Sequence, residues 1–388
     1  MKIGVFTNNY LPNIYGVTTS IESFRFELEK RGHQVFIFAP FFKGYQDINS
    51  NVFRYPSLDL QYKIRFPLPI PYSRKISKII QKIDLDIIHS QHPNLLGNAA
   101  YYWSKKKKIP LVFTWHTLYD HYINFVPIIP AKLASKWIIK KAVNYANKTD
   151  QIIVPTNSVK KIIQKWGVFS KKTIEILPTG INENNFKNFN KEKIRNKYGF
   201  KKNDVVLLLV SRLTEEKNVE FIFQSLQPLL ETNNNIKFLV VGEGYLKKYL
   251  ENKYAKFNKN QIIFSGLINK KEIKNYYAAG DIFVYASESE TQGLIIIEAL
   301  YMQLPVVALN ASGVTDVLSN SQAGILTKKN KDEFRQAVQY FINNKKERIL
   351  KGQKGKELVL EKYTASITSE KLENIYQKNI QKYYHSIK

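Results

Sequence analysis

The chain has no cysteine, so disulfides, thiolate nucleophiles and thiolate metal ligands are excluded, and a reducing cytoplasm suits it. Histidine is scarce: six are present, none at the i, i+4 spacing of a helical zinc pair, so no structural metal site is expected. No apolar run approaches the roughly 20 residues that span a bilayer. The opening Met1-Lys2-Ile3-Gly4-Val5-Phe6 reads as a short buried strand. It lacks a long apolar region and a small-residue cleavage site, so no export signal is expected. Acidic residues are also few, with 32 Asp and Glu against 59 Lys and Arg, a formal charge of +27.

That charge is uneven. Residues 60–172 hold 20 Lys and Arg against 4 Asp and Glu, a net of +16, which leaves +11 for the rest. Scattered lysines in a sequence rich in Lys, Asn and Ile are ordinarily a solvated surface. Clustering in about a third of the chain predicts attraction to a polyanion, either nucleic acid or an anionic lipid face.

With 388 residues, the chain is long for one core and ample for two. Short continuous apolar runs, the mark of strands covered on both faces, alternate with helical patterns. The first series starts at residues 2–7 and continues through 35–39, 86–89, 111–114 and 151–154. The second starts at 204–210 and continues through 236–241, 262–264, 281–285 and 305–308. Strand–helix alternation predicts parallel sheets with crossover helices, hence two doubly wound α/β domains. The join is expected near Pro178-Thr179-Gly180, giving domains over 1–180 and 181–365. A final amphipathic helix over 366–388 is expected to pack back on the first domain. The Lys105–Lys108 run reads as a solvated helix end.

Ligands of doubly wound folds bind at the carboxyl ends of strands, where helix N-termini face phosphates. The first strand ends in Thr7-Asn8-Asn9 and reaches Gly16 before a helix over 18–30. Gly16 is either a simple turn or a place where backbone approaches a phosphate or sugar closely. Strand 205–210 ends in Ser211-Arg212, with Lys217 at the next helix start. These are two cations suited to a diphosphate, or two surface cations. Glu290 and Glu298 stand eight apart around Gly293. The first falls in a loop and the second two turns into a helix, so both can bracket sugar and ribose hydroxyls. Glu298 follows Leu-Ile-Ile-Ile, so solvent exposure explains it poorly. His116 follows strand 111–114 and is either a core residue or a catalyst. Asp84-Leu85-Asp86 looks like a metal-binding Asp-x-Asp pair, but it enters a buried strand and reads as a strand entrance.

Two stretches carry cations around an apolar stripe. Residues 73–83 place Ile76, Ile79, Ile80 and Ile83 together, flanked by Arg74, Lys75, Lys78 and Lys82. Residues 131–147 place Lys132, Lys136 and Lys140 beside Leu133, Trp137, Ile138 and Val143. Each pattern fits a helix lying in a membrane interface, or one that packs its stripe on the first domain. Pro-rich 67–71 and 125–130 read as exposed apolar loops nearby.

Gly16, Thr114-Trp115-His116-Thr117, Ser211-Arg212 with Lys217-Asn218, Val241-Gly242-Glu243-Gly244 and Glu290-x7-Glu298 together resemble the retaining glycosyltransferases of family 4, over essentially the whole chain. Ser289-Glu290-Thr291-Gln292-Gly293, Ile88-His89-Ser90-Gln91-His92-Pro93 and His116-Thr117-Leu118-Tyr119 resemble the bacterial 1,2-diacylglycerol 3-glucosyltransferases among them. The resemblance implies a GT-B fold, two Rossmann-like domains facing a cleft. It implies that Arg212 and Lys217 bind the donor diphosphate, that Glu298 holds the ribose and Glu290 the sugar. The backbone at Gly293, Leu294 and Ile295 would close on phosphate, with Gly242 nearby and Ile268 flanking the base. His116 would lie between donor and acceptor, and the catalytic set would be His116, Glu290, Arg212 and Lys217. Relatives commonly carry two glycines in the first loop, whereas Tyr15 precedes Gly16 here.

The expected activity is therefore hexose transfer, from UDP-glucose to 1,2-diacylglycerol, with retention, no metal and no cofactor. The enzyme would sit as a peripheral protein on the inner face of the cell membrane. GDP-mannose as donor, phosphatidylinositol as acceptor, or a soluble or polysaccharide acceptor are the alternatives. Nucleic acid is not an expected partner: no RNA-recognition or helix–turn–helix signature appears, and paired glutamates repel phosphate. A nucleotide-sugar epimerase would need no acceptor.

Overall fold

The computed structural model describes residues 1–13, 15–62, 64–119, 131–169, 172–257, 260–319 and 322–385, with side chains 60–66 and 131–134 outside the description. Two compact units emerge, one from residues 1–180 with 365–388 and the other from 181–364.

In the first unit, β1 (Lys2–Phe6), β2 (Gln34–Pro40), β3 (Val52–Tyr55), β6 (Ile87–Ser90), β7 (Leu111–Thr114), β8 (Gln151–Val154) and β9 (Ile174–Ile176) form a parallel sheet of order β3-β2-β1-β6-β7-β8-β9. β4 (Ser57–Tyr62) and β5 (Ile64–Pro69) form a separate antiparallel hairpin. The helices are α1 (Gly16–Lys30), α2 (Arg74–Lys82), α3 (Leu96–Lys107), α4 (Ala131–Lys148) and α5 (Asn157–Lys165). Alternate strand residues serve opposite faces. Phe6, Phe38, Ile88, Phe113 and Ile152 pack with α2, α3, α4 and α5. Ile3, Val5, Ile37, Ile87 and Val112 pack with α1. That double burial explains why these strands read as unbroken apolar runs.

The second unit has a parallel sheet of β10 (Val205–Val210), β11 (Ile236–Val241), β12 (Ile262–Gly266), β13 (Ile282–Tyr285), β14 (Val306–Leu309) and β15 (Gly324–Thr327), in the order β12-β11-β10-β13-β14-β15. Around it lie α6 (Lys191–Lys197), α7 (Val219–Thr232), α8 (Lys247–Lys253), α9 (Ile273–Ala279), α10 (Leu294–Tyr301), α11 (Val314–Leu318), α12 (Lys331–Asn343) and α13 (Lys345–Lys362). Val206, Leu207, Leu208 and Leu209 are all fully buried. Side-chain caps start several helices in the chain: Ser73 accepts from Ile76 N–H at 3.3 Å and Asn330 from Asp332 N–H at 2.9 Å.

The last helix, α14 (Ala365–His385), belongs to the first unit. Leu372 and Tyr376 join the α1 face of the sheet, and Glu373 pairs with Arg31 at 3.4 Å and His33 at 3.1 Å.

Two expectations are corrected here. The stripe on α2 is core: Ile76 and Ile80 are buried and Ile79 and Ile83 pack against them, so this helix has no apolar face left for a membrane. Residues 67–71 are not an exposed loop. Pro67 and Pro69 end β5 and are buried, tolerated because a two-stranded hairpin has outward-facing positions that need no N–H. Ile70 and Tyr72 beyond it are exposed. The 125–130 loop and the Lys132 and Leu133 side chains lie outside the described residues.

Candidate active site

Both sheets reverse direction of growth at one point, between β1 and β6 in the first unit and between β10 and β13 in the second. Chains leaving adjacent strands on opposite faces open a crevice at their carboxyl ends, the usual ligand site of such sheets.

In the second unit, that crevice collects the residues singled out from sequence. The loop after β10 is locked by the loop after β11. Leu213 N–H donates to the Glu243 carbonyl at 2.9 Å and Leu246 N–H to the Leu213 carbonyl at 3.1 Å. The crossing is so close that only glycine fits. A Cβ on Gly242, where φ is +138°, would lie 1.9 Å from the Ser211 oxygen, and one on Gly244 would lie 2.2 Å from the Leu213 oxygen. Arg212 is thereby held at the strand end, where its guanidinium meets Glu216 at 3.0 Å and stays 34% exposed. A 3-10 turn over Glu215–Lys217 turns Lys217 inward. Asn218 fixes that turn, donating to the Ala286 carbonyl at 3.0 Å and to Glu288 at 2.7 Å.

Lys217 Nζ donates to Glu290 Oε1, and Tyr285 OH donates to the same oxygen at 2.5 Å. Burial pushes the Glu290 carboxyl up, but the charge of Lys217 and the hydrogen bonds from Lys217, Tyr285 and Ser287 outweigh it, so Glu290 ends below the usual carboxylate range. It is an ionised acceptor with a side chain only 17% exposed. Tyr285 is held far above its ordinary value by burial and then by Glu290, so it keeps its proton. Gly313 (φ +77°) clasps the Glu290 loop, since a Cβ there would be 2.4 Å from the Glu290 oxygen.

Gly293 (φ +81°) is the cap of α10, and no side chain caps this helix. The N–H groups of its first turn, at Leu294 and Ile295, therefore make a site for an anion. Glu298 is the fifth residue of α10, just over one turn in rather than the two expected from sequence. It accepts from Tyr277 OH at 2.7 Å, and burial raises its pKa despite that bond. Ile268 follows β12 half-buried against the core, next to Leu267, which is 82% exposed. Because β12, β11, β10 and β13 are parallel neighbours, Ile268, Gly242, Arg212 and Glu290 all follow the carboxyl ends of these strands.

In the first unit, the ends of β1, β6 and β7 carry a polar cluster. Asn8 N–H donates to His92 Nδ1 at 3.1 Å, and Asn8 Oδ1 accepts from Leu96 N–H at 3.0 Å. His116 Nε2 lies 2.6 Å from Gln91 Oε1. His89 is the core residue of the group, bonded to Thr114 at 2.6 Å on one side and Tyr376 at 2.6 Å on the other. Burial lowers all three imidazoles, His89 and His116 to about 3 and His92 to about 4, with His92 and His89 adding to the effect on His116. All are neutral at physiological pH. Gly16 opens α1 and is exposed, and a Cβ there would meet nothing within 4 Å, so the fold itself does not demand glycine. Asp86 is a strand entrance: its Oδ2 accepts from Lys2 N–H at 2.7 Å.

The proposed membrane cations Arg74, Lys75, Lys78, Lys82, Lys136 and Lys140 are all exposed. Trp137 is 59% exposed, with Lys141 Nζ 3.7 Å from its ring centre. Among the described residues, no group of three or more His, Asp or Glu could hold a metal ion, and no helix is long and apolar enough to cross a membrane.

Two facts escaped the sequence. Tyr285 and Tyr277 each bond one glutamate, and their only signal was a tyrosine at the end of a buried run or helix. Gln91, Asn8 and His92 converge because β1, β6 and β7 are neighbours, which no local pattern reveals.

A twin α/β scaffold with cations, an uncapped helix and a buried carboxylate at one switch point defines a glycosyltransferase of the GT-B fold. Comparison with known proteins agrees. The model for glycosyl transferases group 1 matches residues 190–357, and that for glycosyltransferase family 4 matches residues 14–185. The alpha-monoglucosyldiacylglycerol synthase of Streptococcus pneumoniae is 32% identical, over 84% of this chain and 75% of that protein. The synthase of the same name from Acholeplasma laidlawii is 28% identical over 97% and 96%. A GDP-mannose-dependent alpha-mannosyltransferase of Corynebacterium glutamicum is 24% identical over 84% and 76%. In fold, sucrose-phosphate synthase from Thermosynechococcus elongatus superposes with a TM-score of 0.80 at 16% identity, over 97% of this chain and 98% of that one. Anabaena HepE, solved with UDP-glucose, gives 0.76 at 16% identity over 97% and 100%. The chain belongs to glycosyltransferase family 4 and is a hexosyltransferase.

Proposed function

We propose that this enzyme transfers glucose from UDP-glucose to 1,2-diacylglycerol with retention of anomeric configuration, and without a metal ion. The observation that carries the donor half is the grouping of Arg212, the Lys217–Glu290–Tyr285 bonds and the uncapped start of α10 at the second unit's switch point. Departure of a nucleoside diphosphate builds negative charge. Fixed cations and helix N–H groups stabilise it without reorganising, each such donor contributing about 3 kcal/mol to barrier lowering. Arg212, Lys217 and the Gly293–Ile295 backbone serve that charge. Glu290 accepts from sugar hydroxyls and Glu298 from the ribose. Glu290 already accepts from a lysine and a tyrosine, which suits a hydroxyl acceptor better than a covalent nucleophile, so displacement proceeds on the front side, aided by the leaving phosphate. Gly242 and Ile268 border the donor, and Gly16 and His116 serve the reacting sugar.

The synthases cited from Streptococcus and Acholeplasma support diacylglycerol as acceptor. The exposed cations of α2 and the Lys136-Trp137-Lys140 patch of α4 face an anionic leaflet on the inner side of the cell membrane. Docking by α2 is electrostatic, each near-surface cation giving about 1 kcal/mol, while Trp137 offers an interfacial anchor.

Incubation with a panel of UDP- and GDP-sugars and vesicles containing diacylglycerol tests the assignment by product mass and anomeric NMR. An α-glucosyldiacylglycerol formed from UDP-glucose without added metal is expected. A mannolipid from GDP-mannose, or a product only on a soluble acceptor, would contradict it.

A further inference from the structure

Lys371, Lys378 and Lys382 of α14 are spaced so that they share one face of the helix. The acids of the same helix do not neutralise them. Glu373 pairs with Arg31 and His33, and Glu370 lies 3.7 Å from Arg31. Among the described residues, no carboxylate forms an ion pair with any of the three lysines, and all three are exposed. With β9, the edge strand of the sheet, this face of α14 lines a cleft of about 390 Å³. The deepest lining residues are polar: Gln151 and Asn379 are 5% and 9% exposed. Backbone carbonyls hold both amides, Gln151 donating to Thr173 at 2.9 Å and Asn379 to Ile375 at 2.8 Å. Glu175 on β9 is the one carboxylate of the lining, so the cleft carries three cations against one anion. Burial holds the nearby Lys172 ammonium below the ordinary lysine range, and the charges of Lys105 and Lys382 act the same way, against Asp150. None of the residues placed at the strand-end crevice lines this cleft.

Like charges along one helix face repel one another, and a bound anion turns that cost into attraction. An ammonium is a point charge suited to phosphate. The cleft has the size of a small-molecule site rather than of a bare ion, and a buried amide offers both a donor and an acceptor to hydroxyl groups. We propose that the cleft between α14 and β9 is an anion site separate from the donor crevice, and that it takes a phosphate ester with a small hydroxylated body. Lys371, Lys378 and Lys382 meet the phosphate, over the Gln151 and Asn379 amides. Glu175 limits the lining to a net of +2, which suits one phosphate group better than a polyanion. Free glycerol phosphate and the headgroup of phosphatidylglycerol both present this chemistry.

Calorimetric titration of the full-length enzyme with sn-glycerol 3-phosphate is the test, with UDP in excess to fill the donor crevice. One saturable site is expected. Changing Lys371, Lys378 and Lys382 together to Gln should weaken it by about tenfold or more, the scale of several lost charges close to an anion. The same change at Lys202, Lys345 and Lys346, exposed lysines of the second unit, should leave it within about twofold, because distant charges are screened. Glu175→Gln removes the opposing charge and should tighten binding by about twofold or more, a gain that a damaged fold does not produce. No saturable binding beside UDP, unchanged binding in the α14 variant, an equal loss in both triple variants, or weaker binding in Glu175→Gln would each overturn the proposal. Sedimentation with phosphatidylglycerol vesicles, against phosphatidylcholine vesicles, separates the two sources. Less sedimentation of the α14 variant than of the second-unit variant assigns the site to the lipid headgroup, and equal sedimentation assigns it to the free ester.

Discussion

At the scale of single residues, partners decide what each charged group can do. Glu290 is ionised because Lys217 and Tyr285 meet it, whereas Glu298, which accepts from Tyr277, is pushed up by burial. Two carboxylates eight residues apart thus differ in charge tendency, and they should differ in response. Glu290→Gln should lower kcat by about 100-fold or more, the scale of a lost electrostatic contact in a closed site, measured at saturating donor. Glu298→Gln should act mainly on donor KM. Gly242 makes a sharper structural test. Gly242→Ala pushes a Cβ to 1.9 Å from the Ser211 oxygen at a φ of +138°, and should cost more than about 2 kcal/mol of stability by urea titration. Arg212, Lys217, Glu290 and Glu298 were legible in the sequence because strand ends and a helix start frame them. Tyr277 and Gln91 were not, because their partners lie 21 and 25 residues away on neighbouring elements; Tyr285, five residues before Glu290, was not, because a tyrosine ending a buried run carries no sign of its bond.

At the scale of elements, burial separates what periodicity confuses. The cationic helices α2 and α4 have similar patterns, but α2 gives Ile76 and Ile80 to the core while α4 leaves Trp137 outside. A stripe of isoleucines flanked by lysines fits both a membrane surface and a domain core, and the sequence carries nothing to choose between them. Trp137→Ala should weaken sedimentation with anionic vesicles even at high salt. Changing Lys75, Lys78 and Lys82 to Gln should weaken it only at low ionic strength, because exposed charges are screened over about 8–10 Å. The strands of both sheets were readable because burial on two faces leaves unbroken apolar runs. β3, β4, β5, β9 and β15 were not, being short, edge-placed or rich in polar residues and proline.

At the scale of the whole molecule, two switch points and an uneven charge organise function, and the first unit is also sensitive to acid. His89, His92 and His116 hold folded pKa values of about 3 to 4 against 6.5 when unfolded. Between those values the unfolded chain binds protons that the folded chain does not. Stability is therefore complete above about pH 6.5 and declines as pH falls toward 4, by up to about 1.4 kcal/mol per pH unit for each group. All four tryptophans, Trp103, Trp115, Trp137 and Trp166, lie in the first unit, so urea unfolding followed by tryptophan fluorescence reports on it alone. Its midpoint should drop steadily from pH 7 to pH 5, and a flat midpoint would count against three buried neutral imidazoles. The proposed chemistry depends on the second unit, where cations at the end of β10 hold the leaving diphosphate. Steady-state kinetics of Arg212→Ala with saturating UDP-glucose and diacylglycerol measure that directly. A kcat lowered by at least about tenfold is predicted, with the folded state intact; a kcat equal to that of the wild type would contradict it.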